Sequence, residues 1–188
     1  VRLFVAIDLD DDARRRVVAE QRRVARILAP FQPALAWTRI DQIHLTLAFL
    51  GEVQGDQVSG VIEAMERPIG GWAPFAVVFG GFGVFPPRGA PRVLWLGLLS
   101  GSAEVIGIQR VVAERLAGLG LPGEARPFHP HLTLARWRNS RPSDRRLVPQ
   151  VESHDGVAQV RVEAVTLYES RVSSSGRAYT ALARARLE

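Results

Sequence analysis

The phrase HLTLA occurs twice in this chain, at residues 44–48 and again at residues 131–135. Each copy opens on a histidine, although the whole chain has only 4. A duplicated structural unit explains such an echo better than coincidence does. The phrase also dictates its own local shape. It alternates like a half-buried strand, and side chains along a strand point to opposite faces in turn. His44, Thr46 and Ala48 therefore share one face, while Leu45, Leu47 and Phe49 share the other. His131, Thr133 and Ala135 oppose Leu132 and Leu134 in the same way. Each apolar face, Phe49 included, anchors its strand in a core. Each polar face offers an imidazole, a hydroxyl and a small residue that leaves room for a ligand.

Elements around the two phrases alternate between strand and helix. RLFVAIDL alternates as a strand, and DDDARRRVVAEQRRVARILAP follows as a helix with acidic residues at its start and Pro30 and Pro33 closing it. Ile43–Leu50 is the strand that carries the first phrase. Val58, Val61, Ile62 and Met65 then recur at helical spacing. PFAVVFGGF and PRVLWLGL read as strands joined by the turn GVFPPRGA. SAEVIGIQRVVAERLAGLG reads as a third helix, stopped by Gly120 and Pro122. After HPHLTLARW come a polar loop over residues 138–146 and two final strands near residues 157–169 and 178–187. Turn signals between neighbouring strands favour antiparallel pairs, so the expected class is α+β with two similar halves. No stretch reads as a flexible linker, and a single domain over residues 1–188 is expected.

Composition narrows the chemistry. Cysteine is absent, which excludes disulfides, thiolate metal sites and cysteine nucleophiles. No run of about 18 apolar residues would span a membrane. With no charged-then-apolar leader in front of the first strand, a cytoplasmic home is the expectation. All 24 basic residues are arginine and the formal charge is +5. Guanidinium forks suit phosphate, so an anionic ligand such as RNA fits this surface. GGFGVF at residues 80–85 has glycines but no helix behind it, so it is not a nucleotide-binding loop.

If the two halves are related by a pseudo-twofold axis, the two His-x-Thr faces meet across one cleft. Such a cleft suits phosphodiester chemistry. One neutral imidazole takes a proton from an attacking hydroxyl or water while the other, protonated, supplies one to the leaving oxygen. Threonine hydroxyls donate to non-bridging oxygens as charge grows on them. That chemistry calls for no metal and no cofactor. The rival readings are two Leu-rich core strands with incidental histidines, a non-catalytic RNA-binding module, and a metal-dependent hydrolase using His129 and His131 as an H-x-H pair. Insensitivity to EDTA would remove the last of these.

Paired H-x-T motifs about 90 residues apart in a chain of this size resemble the 2H phosphoesterase superfamily. Within it the chain is similar to the bacterial and archaeal RNA 2′,3′-cyclic phosphodiesterases, also called 2′-5′ RNA ligases or LigT-like proteins. The resemblance runs through RLFVAIDL, HLTLAFLGEV, the FPP and PRVLWLGL stretches, HPHLTLAR and LYESRVSSSGRAYTAL. It implies a bilobal fold with antiparallel sheets around a central cleft. It also implies hydrolysis of a 2′,3′-cyclic phosphate at an RNA 3′ end to a 2′-phosphate, with 2′-5′ ligation as the reverse reaction. RNA carrying that end is the implied partner, and no protein partner is implied. A smaller cyclic phosphate or 2′-5′ oligoadenylate is the alternative substrate.

By the same resemblance His44 and His131 form the acid–base pair, Thr46 and Thr133 donate to phosphate, and Arg136 contacts phosphate. Regular pleating sends Arg136, five residues beyond His131, to the wrong face. It reaches the cleft only if the strand ends or bulges near Ala135, or if the side chain curls round an edge. Of the remaining candidates, Trp37, Phe128 and Trp137 could stack on a base or pack in the core. Arg88 and Arg92 are loop-edge phosphate candidates. His154 is expected in an exposed polar turn, His129 in a structural place, and the arginine cluster of the first helix on a solvated face.

Overall fold

The computed structural model describes residues 1–188 apart from residues 122, 125, 154 and 175. The expectations for Pro122 and His154 lie outside the described residues. Strand β1 (Arg2–Asp8) leads into α1 (Asp11–Leu28), then β2 (Leu35–Trp37) and β3 (His44–Glu52). Next come α2 (Gly55–Glu66), β4 (Phe75–Phe85), β5 (Val93–Ser100), α3 (Ser102–Ala117) and β6 (Leu132–Trp137). The short α4 (Val148–Val151) precedes β7 (Ala158–Val162), β8 (Ala164–Ser173) and β9 (Gly176–Arg186). Among the described residues no helix is long and apolar enough to cross a membrane.

All pairings between these strands are antiparallel. The strands form one curled sheet in the order β7-β4-β5-β6-β3-β1-β8-β9, with β2 added beside β6. Its middle is its weakest seam: β6 and β3 share the single registered pair Leu45–Leu132. On either side lie four-stranded halves that mirror one another, β6-β5-β4-β7 and β3-β1-β8-β9. The α+β class with two halves facing one cleft is therefore observed. The two H-x-T strands are the innermost members of their halves, which brings the repeated phrases together.

The helices cross the seam. Asp10 caps α1, its carboxylate accepting from the Ala13 N–H at 2.8 Å. Although α1 leaves β1, it buries Val24 and Leu28 against Leu94, Ala135 and Trp137 of the opposite half. Leaving β5, α3 packs against β3, while α2 covers β8 and β9. Each half is thus backed partly by a helix that starts in the other, and burial of those apolar stripes couples the halves more than the single strand pair does.

Three details differ from the sequence expectation. The run expected as one strand near residues 157–169 is two, because at Glu163 the chain passes from β7 in one half to β8 in the other. Alternation continues across that point, so the pattern alone does not reveal the change of partner. The polar loop after β6 contains a 3-10 turn, Pro142–Leu147, running into α4. Strand β2 is too short to show a period, and exists because Leu35 and Trp37 register against Trp137 and Ala135.

Candidate active site

Both H-x-T strands carry a bulge, and the two bulges fall at the same letter of the repeat. Where β1 pairs with β3, Val5 faces Ala48 and Ala6 faces Thr46, leaving Leu47 as the extra residue. Where β5 pairs with β6, Leu94 faces Ala135 and Trp95 faces Thr133, leaving Leu134 as the extra residue. One extra residue reverses the alternation beyond it. Leu134 and Ala135 are consequently both fully buried, and Arg136 returns to the face of His131 and Thr133. The bulge needed near Ala135 is present, and Arg136 lines the cleft.

The same reversal overturns three expectations. Ala135 does not share the cleft face with His131 and Thr133; it lies in the core against α1. Phe49 does not anchor the core: it is 61% exposed and lines the cleft. Ala48, expected beside His44 and Thr46, likewise packs on the core and does not line the cleft. Strict pleating misassigned all three because it assumed an unbroken ladder. Phe49 and Arg136 are then counterparts, the sixth letters of HLTLAF and HLTLAR.

His44, Thr46, His131, Thr133 and Arg136 all open into one cleft of about 830 Å³. Each imidazole is held from behind by main chain and by aromatic rings. The His131 ring places Nδ1 2.6 Å from the His129 carbonyl. A carbonyl only accepts, so Nδ1 carries the hydrogen and Nε2 is left for a ligand. At the matching position the Gln42 backbone hydrogen-bonds the His44 ring. Phe4 stacks on His44 at 4.8 Å between ring centroids, and Tyr179 meets it edge-on at 5.3 Å. Phe85 meets His131 edge-on at 5.0 Å, with Trp95 at 6.2 Å.

These enclosures govern protonation. Burial pushes the His44 pKa down to about 4, against the opposing pull of Asp8 and of the Gln42 backbone. Arg14 and His131 add like-charge repulsion. Burial likewise lowers the His131 pKa; the His129 carbonyl and, more weakly, Glu124 oppose this, while His129 and Arg136 reinforce it. Both rings are thereby biased toward the neutral form. A bound phosphate anion would favour the charged form of either.

Of the other candidates, Trp37 lines the cleft, whereas Phe128 packs on the core and Trp137 is buried in it. His129 lies 4.8 Å from Trp95 and supplies the carbonyl that holds His131, the structural place expected of it. Among the described residues no group of three or more His, Cys, Asp or Glu side chains could hold a metal ion. Arg88 and Arg92 are exposed but do not line the cleft. On α1, Arg15 and Arg16 pair with Asp12 in solvent, a solvated face as expected.

Sequence reasoning missed Arg2, Arg39, Arg126 and Arg177 on the cleft rim, as well as Gln42 and Tyr179. No local motif marks them. Arg177 and Tyr179 belong to the late RAYTAL stretch, whose place beside the first phrase is set by β9, separated from β3 by β1 and β8 in the curled sheet.

Residues 9–173 match the family model described as the 2′-5′ RNA ligase superfamily. An RNA 2′,3′-cyclic phosphodiesterase of Thermus thermophilus is 33% identical over 193 aligned residues, covering 97% of this chain and 88% of that protein. Another, from Geobacillus stearothermophilus, is 33% identical over 140 residues; the match takes in 74% of this chain and 43% of that protein. The crystal structure of E. coli LigT complexed with 3′-AMP superposes with a TM-score of 0.72 at 27% identity, covering 99% of this chain and 97% of that one. The chain belongs to the 2′-5′ RNA ligase superfamily.

Proposed function

We propose that the protein hydrolyses 2′,3′-cyclic phosphate ends of RNA to 2′-phosphates without a metal, using His44 and His131 as an acid–base pair. The observation that carries this reading is the convergence of both His-x-Thr pairs and Arg136 on one cleft, in a chain whose relatives are RNA 2′,3′-cyclic phosphodiesterases. Water attacks phosphorus, the P–O3′ bond breaks, and a 2′-phosphomonoester and a 3′-hydroxyl result. One imidazole takes the proton that water loses, and the other, as imidazolium, protonates O3′. Thr46, Thr133 and Arg136 donate to the non-bridging oxygens as their charge grows. Ligation is not the reverse of this hydrolysis: with a 5′-hydroxyl in place of water the same steps form a 2′-5′ linkage, each histidine keeps its role, and the roles exchange only when that linkage is cleaved by the 3′-hydroxyl.

The test is turnover, in EDTA, of a short RNA ending in a 2′,3′-cyclic phosphate. Wild type is expected to produce a 2′-phosphate, and His44→Ala and His131→Ala each to lose activity by about 10²-fold or more, the range of general acid–base catalysis. Full activity in either variant, or an inert wild type, would sink the reading. If smaller cyclic phosphates turn over as well as RNA does, the substrate is not RNA.

A further inference from the structure

The two phrases are identical in sequence, yet the strands beside them make them unequal. Across from His44, as its registered partner, stands Asp8 at the end of β1. On the other half Leu96 pairs with Leu132, so the matching position one residue further along β5 is Gly97, which has no side chain. A carboxylate stands across from one catalytic imidazole, whereas the other faces a glycine packed beside the Trp95 ring.

Asp8 is built in rather than loose. The Thr166 hydroxyl donates to Oδ2 at 2.7 Å and the Tyr168 hydroxyl donates to Oδ1 at 2.6 Å. Both oxygens are thus held from β8, on the far side of β1 from His44. Burial and the Asp8 charge raise the Tyr168 pKa, so its hydroxyl stays a donor at neutral pH. Asp8 does not line the cleft, and the chemistry above leaves it without a task.

The groups facing His44 from every side can be named. Asp8 comes from β1 and the Gln42 backbone from the turn before β3, both favouring a charged ring. Arg14 from α1 and His131 from β6 oppose it. Phe4 and Tyr179 contribute apolar enclosure, which penalises charge most of all. Asp8 is the one carboxylate in that set, and its effect on His44 exceeds the opposing effect of Arg14.

We propose that Asp8 is a positioning residue for the reaction described above: its carboxylate, locked by Thr166 and Tyr168, allows the deeply enclosed His44 to carry a proton during turnover, a service for which His131 has no counterpart on the strand beside it. The proposal rests on the acid–base reading of the two histidines. Whichever way the proton travels, His44 passes through its charged form, and Asp8 stabilises that form without touching substrate.

Asp8→Asn keeps the shape and removes the charge. It is expected to lower kcat on the cyclic-phosphate RNA by roughly 10-fold or more with KM little changed. In imidazole NMR titrations with saturating inorganic phosphate, the His44 midpoint should fall by about one pH unit and the His131 midpoint should hold, in line with the loss of one nearby opposite charge. Asp8→Glu, which restores a carboxylate, should recover part of kcat where Asn does not. An unchanged kcat in Asp8→Asn, or midpoints of the two histidines that move together, overturns the proposal. An inert wild type instead overturns the cyclic-phosphodiesterase reading, while the titrations still decide whether Asp8 governs His44.

Discussion

At the scale of single residues, the most informative pair is Phe49 and Arg136, one letter apart in an otherwise identical repeat. The bulges turn both toward the cleft, so the two halves offer chemically different groups at equivalent places. Among the described residues the Arg136 side chain makes no hydrogen bond or ion pair, which leaves its fork of donors open to the cleft. Arg136→Ala should cost about 1.5–3 kcal/mol in transition-state binding, a loss in kcat/KM of roughly 10- to 100-fold. Phe49 offers a flat apolar face on which a base can lie. Phe49→Ala should raise KM for RNA substrates by a factor on the order of 10 while sparing kcat, as lost stacking predicts. A cyclic phosphate of glycerol, which has no base, should be indifferent to that change. Equal effects on both substrates would show that Phe49 acts through the fold and not through a base. The histidines and threonines were legible in the sequence because one short phrase carries them all. The fate of the sixth letter was not, since pleating reads as regular until a partner strand reveals the extra residue.

The element that holds one bulge in place is α1, a helix that touches no part of the repeat in sequence. Gln21, buried in its middle, donates from Nε2 to the Leu134 carbonyl at 2.8 Å and to the Thr38 carbonyl at 2.9 Å. Leu134 is the extra residue of the bulge, and its carbonyl also accepts from the Thr38 N–H at 2.9 Å. A bulge leaves main-chain groups outside the ladder, and buried ones need partners. Gln21 satisfies them from the neighbouring layer. Gln21→Ala should therefore destabilise the protein by about 1–3 kcal/mol, the cost of leaving the Thr38 carbonyl without its donor and the Leu134 carbonyl with one donor instead of two. Thermal unfolding measures that loss. The same variant should lower kcat/KM, because Arg136 lies just past the loosened bulge, and a variant that melts earlier with unaltered kinetics would sever that link. In the sequence Gln21 reads as one polar letter on the apolar stripe formed by Val17, Val24 and Leu28. Its meaning depends on a carbonyl 113 positions away, which no local pattern encodes.

Across the whole molecule, two half-sheets meet at one strand pair, and the titratable groups sit where they meet. The expectation of two similar halves held because each half repeats the same local instructions. The exchange of helices between halves was hidden, since amphipathicity says that a helix is covered and not by what. Enclosing both imidazoles at the junction links stability to pH. In the folded protein the His44 pKa is pushed from its usual 6.5 down to about 4. The unfolded chain takes that proton near 6.5, so between those values the unfolded state binds more protons. Stability is thus undiminished above about pH 6.5 and falls as pH drops toward about 4, by an amount on the order of 3 kcal/mol from His44 alone. His131, shifted in the same direction, adds to the loss. An anion in the cleft works against this by favouring both imidazolium forms, with Arg136 and the rim arginines beside it. Inorganic phosphate should accordingly raise the melting temperature more at pH 5.5 than at pH 7.5, and His44→Ala should shrink the difference. Equal stabilisation at both pH values, or an undiminished difference in His44→Ala, would mean that the bound anion does not share its charge with the paired imidazoles.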